Sequence, residues 1–394
     1  MNHPKDACLS GRQAGLAVIG AGAAGLMTAI SAARHQKSDR LGEKTSVTLF
    51  DSRQRIGSKI LVSGGTRCNV TNRKVTPSDY HGGKRHFISH VFEAFTPSQT
   101  IAFFDSIGVP LVLEPSGKYF PESHSGKTVL EALMREAERL GVRLETGVRI
   151  VGMRPQDDGF VCYAESEGGG EAEFRARRVV LCTGGLSLPE TGSDGTGLRI
   201  AKKLGHTIVR TAAALTPLLS NDEDWRALSG VTLEDVRLDF YLEGRKEASS
   251  RGGFLFTHFG FSGPASLDIS RHVALVDPKK NPQVIADFVP SGGEQKLPKR
   301  FYETLKRKCG ASLKTAISHY PLNVTGVYGY KKAEVTAGGV DVAEVNVATL
   351  ESKKVKGLYF AGEILDVDGR IGGFNFQWSW STGAIAGKAA VKGL

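Results

Sequence analysis

At 394 residues the chain is longer than one hydrophobic core usually supports, which argues for two or three domains. With 40% hydrophobic and 23% charged residues it has the balance of a globular enzyme, which excludes a low-complexity or collagen-like chain. A formal charge of +10 and a pI near 9.3 favour a polyanionic partner or a phosphate-rich ligand, and fit equally a plain surplus of surface lysines.

Residues 1–14 read as a polar tail, followed by a short buried strand over Leu16–Ile19, a turn over Gly20–Gly25 and a helix over Leu26–His35. The apolar run from Leu16 to Ala33 resembles a secretory leader. The glycines inside it and the acid-tipped strand after it, Ser46–Phe50 ending at Asp51, make it the first strand, turn and helix of a βαβ unit instead. Gly20-Ala21-Gly22-Ala23-Ala24-Gly25 fits GxGxxG at the strand-to-helix turn. Its first glycine makes the tight turn, the second admits a pyrophosphate and the third lets helix and strand approach. The helix N-terminus then faces phosphate. Asp51, 26 residues beyond Gly25 and followed by Ser52, is placed to take a ribose hydroxyl. No metal site is expected. The five cysteines (Cys8, Cys68, Cys162, Cys182, Cys309) are odd in number and lack metal-ligand spacing, which suggests reduced thiols in the cytoplasm.

Next comes Ser58-Lys59, then Ser63-Gly64-Gly65-Thr66-Arg67-Cys68-Asn69-Val70-Thr71-Asn72, a loop too polar and glycine-rich for core. Its backbone can approach a ligand closely, and Lys59, Arg67 and Asn69 can hold charged or hydrogen-bonding groups, although both cations could instead be solvated. Ser98–Ile107 and Thr128–Leu140 read as helices. Arg143–Val151 (containing Val148), Phe160–Ala164 and Arg178–Cys182 read as strands, the last running into Thr183-Gly184-Gly185. From about residue 195 the alternation stops. Val231–Leu242 and Gly253–Thr257 read as antiparallel strands, and 292–320 as helical and basic. Glu334–Val340, with Thr336-Ala337-Gly338-Gly339-Val340, reads as a strand and turn. Leu358–Ala361 is again a buried strand, leading through Gly362-Glu363 and Asp366 to Gly373-Phe374-Asn375 and a final helix from about Trp378. Two acids, two glycines and an amide in that loop suit a ribityl chain and the edge of a flavin, with the helix N-terminus favouring negative charge there.

These motifs, in this order, resemble the BaiN/RdsA-like (HI-type conserved flavoprotein, YhiN-like) NAD(P)/FAD-dependent oxidoreductases. The carriers are GAGAAG from Gly20, GSKILVSGGTRCNVTN from Gly57, LCTGG from Leu181, FLFTHFGFSGP from Phe254, VTAGGV from Val335 and GLYFAGEILDVDGRIGGFNFQWSWSTG from Gly357. The resemblance spans residues 15–392. It implies an α/β fold: a two-part Rossmann-like FAD-binding domain over 1–194 and 345–394, with an inserted β-rich domain over 195–344 carrying a basic helical subdomain at about 266–325. It implies FAD as cofactor. Because the chain has no second GxGxxG, NADPH or NADH would dock only transiently as reductant. Activities in the family differ, and include reduction of ribosomal-RNA uridine to dihydrouridine, reduction of unsaturated bile acids and oxidation of an aminoketone. Thr66 departs from the family by replacing a third glycine, and Asp51 stands where many members have Glu.

The leading expectation is therefore a cytoplasmic FAD-dependent reductase of an activated C=C bond, with ribosomal-RNA uridine as substrate. Alternatives are turnover of a small metabolite and a non-catalytic flavin-containing RNA-binding factor. Cys68 and His258 are the candidate proton donors, although His258 could equally be a hinge histidine. Lys296, Lys299, Arg300, Lys306, Arg307, Lys308 and Lys314, facing one acid (Glu303), form a candidate RNA surface over 296–314 or an ordinary solvated helix face. No membrane partner is expected, and the oligomeric state stays open.

Overall fold

The computed structural model describes residues 13–38, 45–166, 169–292 and 297–394. Most of the expected polar tail lies outside these residues, as does Lys296. The chain divides into two compact units. One comprises the chain to Gly185, Pro189–Thr211 and Gly338–Leu394; the other comprises Leu186–Leu188 and Ala212–Ala337.

The first unit is a Rossmann-type α/β layer. Strand β1 (Gln13–Ile19) is buried from Ala14 onward, helix α1 spans Ala23–Ser38 and strand β2 spans Val47–Asp51. β1 pairs in parallel with β2 on one side and with strand Glu171–Leu181 on the other. β2 continues in parallel to Arg143–Thr146. Strand Glu171–Leu181 is shared along its length. Its N-terminal half pairs antiparallel with Gly159–Ser166, and Val179–Leu181 pair in parallel with Leu358–Phe360. The C-terminal part of the chain thus completes the sheet that the N-terminal part begins, as a two-part Rossmann domain requires.

The final helix, Phe374–Ala390, lies against α1 with almost no spacing. A Cβ on Gly383 would sit 2.7 Å from the Ala24 carbonyl oxygen, and one on Gly387 would sit 2.2 Å from that of Thr28. Two glycines four residues apart therefore face two α1 carbonyls four residues apart. The helix begins at Phe374 rather than near Trp378, because Gly373 (φ 90) supplies its cap.

The second unit is an antiparallel sheet of seven strands, in spatial order Tyr320–Leu322, Gln283–Asp287, Thr232–Leu242, Arg245–Thr257, Gly260–Ser262, Leu218–Leu219 and Gly326–Val327. Its core is aromatic, with Trp225, Phe254, Phe256, Phe261, Phe288 and Phe301 all under 2% exposed. Two expected boundaries move. Helix Thr196–Lys203 buries Leu198, Ile200 and Ala201 in the first unit, so the insert begins at 212 and ends at 337. Among the described residues of 266–325 no separate helical subdomain forms. Ala265 and Ile269 of helix Pro264–Leu275, and Phe301 and Leu305 of helix Lys299–Cys309, join the same core as the strands. Among the described residues no helix is long and apolar enough to cross a membrane.

Candidate cofactor site

At the C-terminal end of β1 the three glycines divide their tasks as the motif requires. Gly20 holds φ +101, and a Cβ on Gly25 would lie 1.7 Å from the Gly20 carbonyl oxygen, so both are dictated by packing. A Cβ on Gly22 would meet nothing within 4 Å. Gly22 alone opens onto space, the position a pyrophosphate needs. Ala23 opens α1, and Ala24 packs under Gly362, whose Cβ would come 2.6 Å from the Ala24 Cβ.

Asp51 braces this turn. Its Oδ2 accepts the Ala21 N–H at 2.7 Å and its Oδ1 accepts the Arg53 N–H at 2.8 Å. Burial pushes its carboxyl above the ordinary value, against the pull of those two amides and the Arg53 charge. Each oxygen keeps a lone pair, so the carboxylate can hold the turn and still accept ribose hydroxyls. The Gly147 N–H donates to the Arg53 carbonyl at 3.3 Å, which places Val148 beside the same loop as Ser52. Across β1, Thr183 follows strand Glu171–Leu181, Gly184 adopts φ +68 and Gly185 follows it. The Thr183 hydroxyl is buried and has no hydrogen-bond partner among the described residues, which leaves a polar group unused beside the glycine turn.

The loop after β2 starts with the short helix α2 (Ser58–Val62), entered through Gly57 at φ +69. Ser63 turns the chain, its hydroxyl donating to the Ile60 carbonyl at 3.1 Å. Gly64, Gly65, Thr66 and Cys68 then all carry positive φ, between 56 and 70. Thr66 thus takes the left-handed conformation its missing glycine would have taken, and the loop keeps its path at a cost in strain. A Cβ on Gly65 would meet nothing within 4 Å, so this second glycine also opens onto space.

Arg67 is engaged within the protein. Its Nη1 pairs with Glu114 at 2.7 Å and its guanidinium lies 4.0 Å from the centre of the Phe120 ring. Cys68 is 0% exposed, and burial pushes its thiol up to about 12, only partly opposed by a hydrogen bond with Ser63. Its full enclosure by protein favours a packing role in the loop over contact with a substrate.

The N-terminal loop and the C-terminal segment, some 300 residues apart, meet in this unit. Lys59 Nζ and Glu363 Oε2 form a half-buried ion pair at 2.7 Å. Asn69 is buried against the helix cap, where a Cβ on Gly373 would sit 2.7 Å from its Oδ1. Asn72 Nδ2 donates to the Gly372 carbonyl at 3.0 Å. The Asp366 carbonyl accepts the Gly83 N–H at 2.8 Å, tying the acid's loop to Tyr80–Gly82. Asn375 uses both ends of its amide on Gly369, donating to its carbonyl and accepting its N–H, each at 2.8 Å. The Phe374 side chain is core, 1% exposed, and its carbonyl accepts the Tyr80 hydroxyl at 2.8 Å. The backbone amides of Phe374 and Asn375 precede the first intrahelical bond, Gln377 N–H to the Gly373 carbonyl, and so lie outside the helix's own ladder, as an anion site at a helix N-terminus requires.

Several anchors lie inside the quoted motifs but do not stand out there as site residues. Thr71 donates to Gln377 Oε1 at 2.6 Å, Trp380 Nε1 to the Val70 carbonyl at 2.9 Å and Trp378 Nε1 to the Gly362 carbonyl at 3.2 Å. Each reads in sequence as a core aromatic or a helical amide, and only the contact shows its part in the site. Open glycines at 22 and 65, an orphaned Thr183 hydroxyl, the braced Asp51 carboxylate and two helix N-termini lie in one unit, a mix of open backbone, donors and an acceptor that suits a phosphate-rich dinucleotide. They fit FAD.

In the second unit His258 stands exposed in the two-residue turn between strands Arg245–Thr257 and Gly260–Ser262, its carbonyl accepting Arg226 Nε at 2.6 Å. The basic helix is partly compensated, with Lys299 also 3.8 Å from Glu303. Arg307 pairs with Asp224 at 2.6 Å, Lys308 with Asp222 and Asp224 at 3.0 and 3.1 Å, and Arg300 donates to the Ala227 carbonyl.

The family described as "HI0933-like protein Rossmann domain" matches residues 14–389. The chain is 32% identical to a 3-dehydro-bile acid delta(4,6)-reductase of Clostridium scindens, over 96% of this chain and 99% of that one. It is also 32% identical to a ribosomal RNA dihydrouridine synthase of Haemophilus influenzae, over 93% and 95%. In fold it is similar to a 3-ketosteroid-delta4-(5alpha)-dehydrogenase from Rhodococcus jostii RHA1, with TM-score 0.55, 16% identity and coverage of 97% and 98%. Matched over almost its whole length, the chain belongs to the HI0933-like Rossmann family and is an FAD-dependent oxidoreductase.

Proposed function

We propose that this oxidoreductase reduces a carbon–carbon double bond conjugated to a carbonyl, and that its substrate is a uridine in ribosomal RNA. The carrying observation is full-length similarity to two reductases whose named substrates share that bond. A 3-dehydro, Δ4,6 bile acid has its alkenes conjugated with the 3-carbonyl, and uridine has its C5–C6 bond conjugated with the C4 carbonyl. Both reactions add hydride at the electrophilic alkene carbon and a proton at the carbon next to the carbonyl. Bound FAD supplies the hydride chemistry. NADPH or NADH serves as transient reductant, in keeping with the single GxGxxG. The net charge of +10 supports a polyanionic substrate, and the unpaired cysteines support a cytoplasmic location. With Cys68 enclosed, the exposed His258 is the remaining donor candidate. Its replacement by Gln should lower turnover about 100-fold while leaving bound flavin unchanged.

One observation favours a small-molecule substrate instead: Asp222 and Asp224 neutralise part of the basic helix. Mapping dihydrouridine in ribosomal RNA from cells lacking the gene separates the two readings. Loss of one dihydrouridine, restored by the wild-type gene, is the expected result. Unchanged modification, together with turnover of a free steroid-type enone, would replace RNA with a small substrate.

A further inference from the structure

We infer that the inserted unit contacts single-stranded RNA through an aromatic and cationic platform made by Phe259, Tyr328, Lys331 and Lys332, rather than through the basic helix. The inference rests on the RNA reading above.

Strands Gly260–Ser262 and Gly326–Val327 both pair with Leu218–Leu219, which brings the ends of two distant segments together. Phe259 precedes one strand and Tyr328 follows the other. Their rings meet edge to face, with centroids 5.1 Å apart. Lys332 Nζ stands over both, 5.9 Å from the Phe259 centre and 5.5 Å from that of Tyr328. His258 packs edge-on against Phe259 at 4.8 Å. Tyr328 is 39% exposed, one of few large apolar side chains at the surface, and His258, Lys331 and Lys332 are exposed too.

The charge around this patch points to its occupant. Neither Lys331 nor Lys332 has a carboxylate within ion-pair distance among the described residues. The platform's neighbouring segment carries acids: Ser220 N–H donates to the Phe259 carbonyl, and Asp222 and Asp224 follow in the same segment. Those acids are the ones Arg307 and Lys308 hold. Arg307 and Lys308 are therefore held in cancelling negative charge beside the platform, whereas Lys331 and Lys332, next to the exposed rings, stay available to phosphate. An exposed ring flanked by uncompensated cations recognises an unstacked base and its backbone, the recognition mode of single-stranded nucleic acid. A uridine must leave its stack to be reduced, so such a surface suits the substrate.

Fluorescence anisotropy of the full chain with a labelled, uridine-containing single-stranded oligoribonucleotide tests this. Tyr328→Ala and the double variant Lys331→Ala/Lys332→Ala should each weaken binding, the former roughly 5- to 100-fold, with Tyr328→Phe retaining affinity. The double variant should also reduce the slope of log affinity against log salt by about 1.4. Lys299→Ala/Lys306→Ala, on the basic helix, should stay close to wild type. The two platform lysines are exposed, so their variant reads binding even if Tyr328→Ala lowers stability. A wild-type chain that binds the RNA while both platform variants bind it equally well, or a larger loss from the helix variant, overturns the platform alone. Unchanged ribosomal-RNA dihydrouridine on loss of the gene overturns the RNA reading and the platform with it.

Discussion

Gly22 and Gly25 sit three residues apart and should fail in opposite ways. A side chain at Gly22 meets no protein atom, so Gly22→Val should leave the melting temperature of the apoprotein nearly unchanged and abolish FAD retention, checked by absorbance of released flavin. A Cβ at Gly25 collides with the Gly20 carbonyl, so Gly25→Ala should cost about 3 kcal/mol in denaturant titration, whether or not FAD is present. Thr66 offers the reverse case. A β-branched residue at φ 70 is strained by about 1–2 kcal/mol, and glycine relieves this at some cost in unfolded-chain entropy. Thr66→Gly should therefore raise stability by about 0.5–1 kcal/mol. Cys68, with its thiol raised to about 12, should resist alkylation at pH 8 in the folded chain, and Cys68→Ala should keep its flavin and turnover. Rapid labelling of Cys68, or loss of turnover in the alanine variant, would reinstate it as a catalytic group.

At the scale of elements, two devices hold the first unit together. The glycine seam between the final helix and α1 admits no side chain, so Gly387→Leu should destabilise the protein by about 3 kcal/mol. The second device clamps the two segments through which the chain leaves and re-enters this unit. His206 Nδ1 lies 3.0 Å from Glu344 Oε2, and His206 Nε2 lies 2.8 Å from the Ser352 hydroxyl. Burial pushes Glu344 up, but hydrogen bonds from Lys354 and Thr207 outweigh it and lower its pKa from 4.5 to about 2. The lowered pKa contributes stability that is present above pH 4.5 and lost as pH falls toward 2. Acid unfolding of Glu344→Gln should show a shallower slope across that window. An unchanged slope would mean that other carboxylates carry it. The elements themselves were mostly legible, because β1, α1, β2 and the dinucleotide turn are local patterns of apolar period and glycine spacing. The start of the final helix was misread, because Gly373-Phe374-Asn375 reads as loop until the cap geometry is seen. The helical subdomain was misread for a similar reason: a basic helix gives no hint that Phe301 and Leu305 belong to the core of a sheet.

Across the whole molecule, the sequence motifs marked which segments form the site, but not how they are joined. Lys59 and Glu363 each read as a ligand for cofactor, and in the fold they are first partners of each other. Arg67 read as a cofactor cation and is spent on Glu114 and Phe120, neither of which carried a signal. Such pairings depend on contacts between residues tens to hundreds of positions apart, which no local period encodes. The surplus of cations was visible from composition, whereas its division between compensated Arg307 and Lys308 and uncompensated Lys331 and Lys332 needed the structure. On this reading the open glycines, the Asp51 brace and the two helix N-termini hold FAD. The most direct measurement is the flavin released from purified wild-type and Gly22→Val protein on denaturation. The expected result is roughly one FAD per wild-type chain and none in the variant, with equal melting temperatures for the two apoproteins. A wild-type chain that carries no flavin and takes up none on incubation with FAD would contradict it.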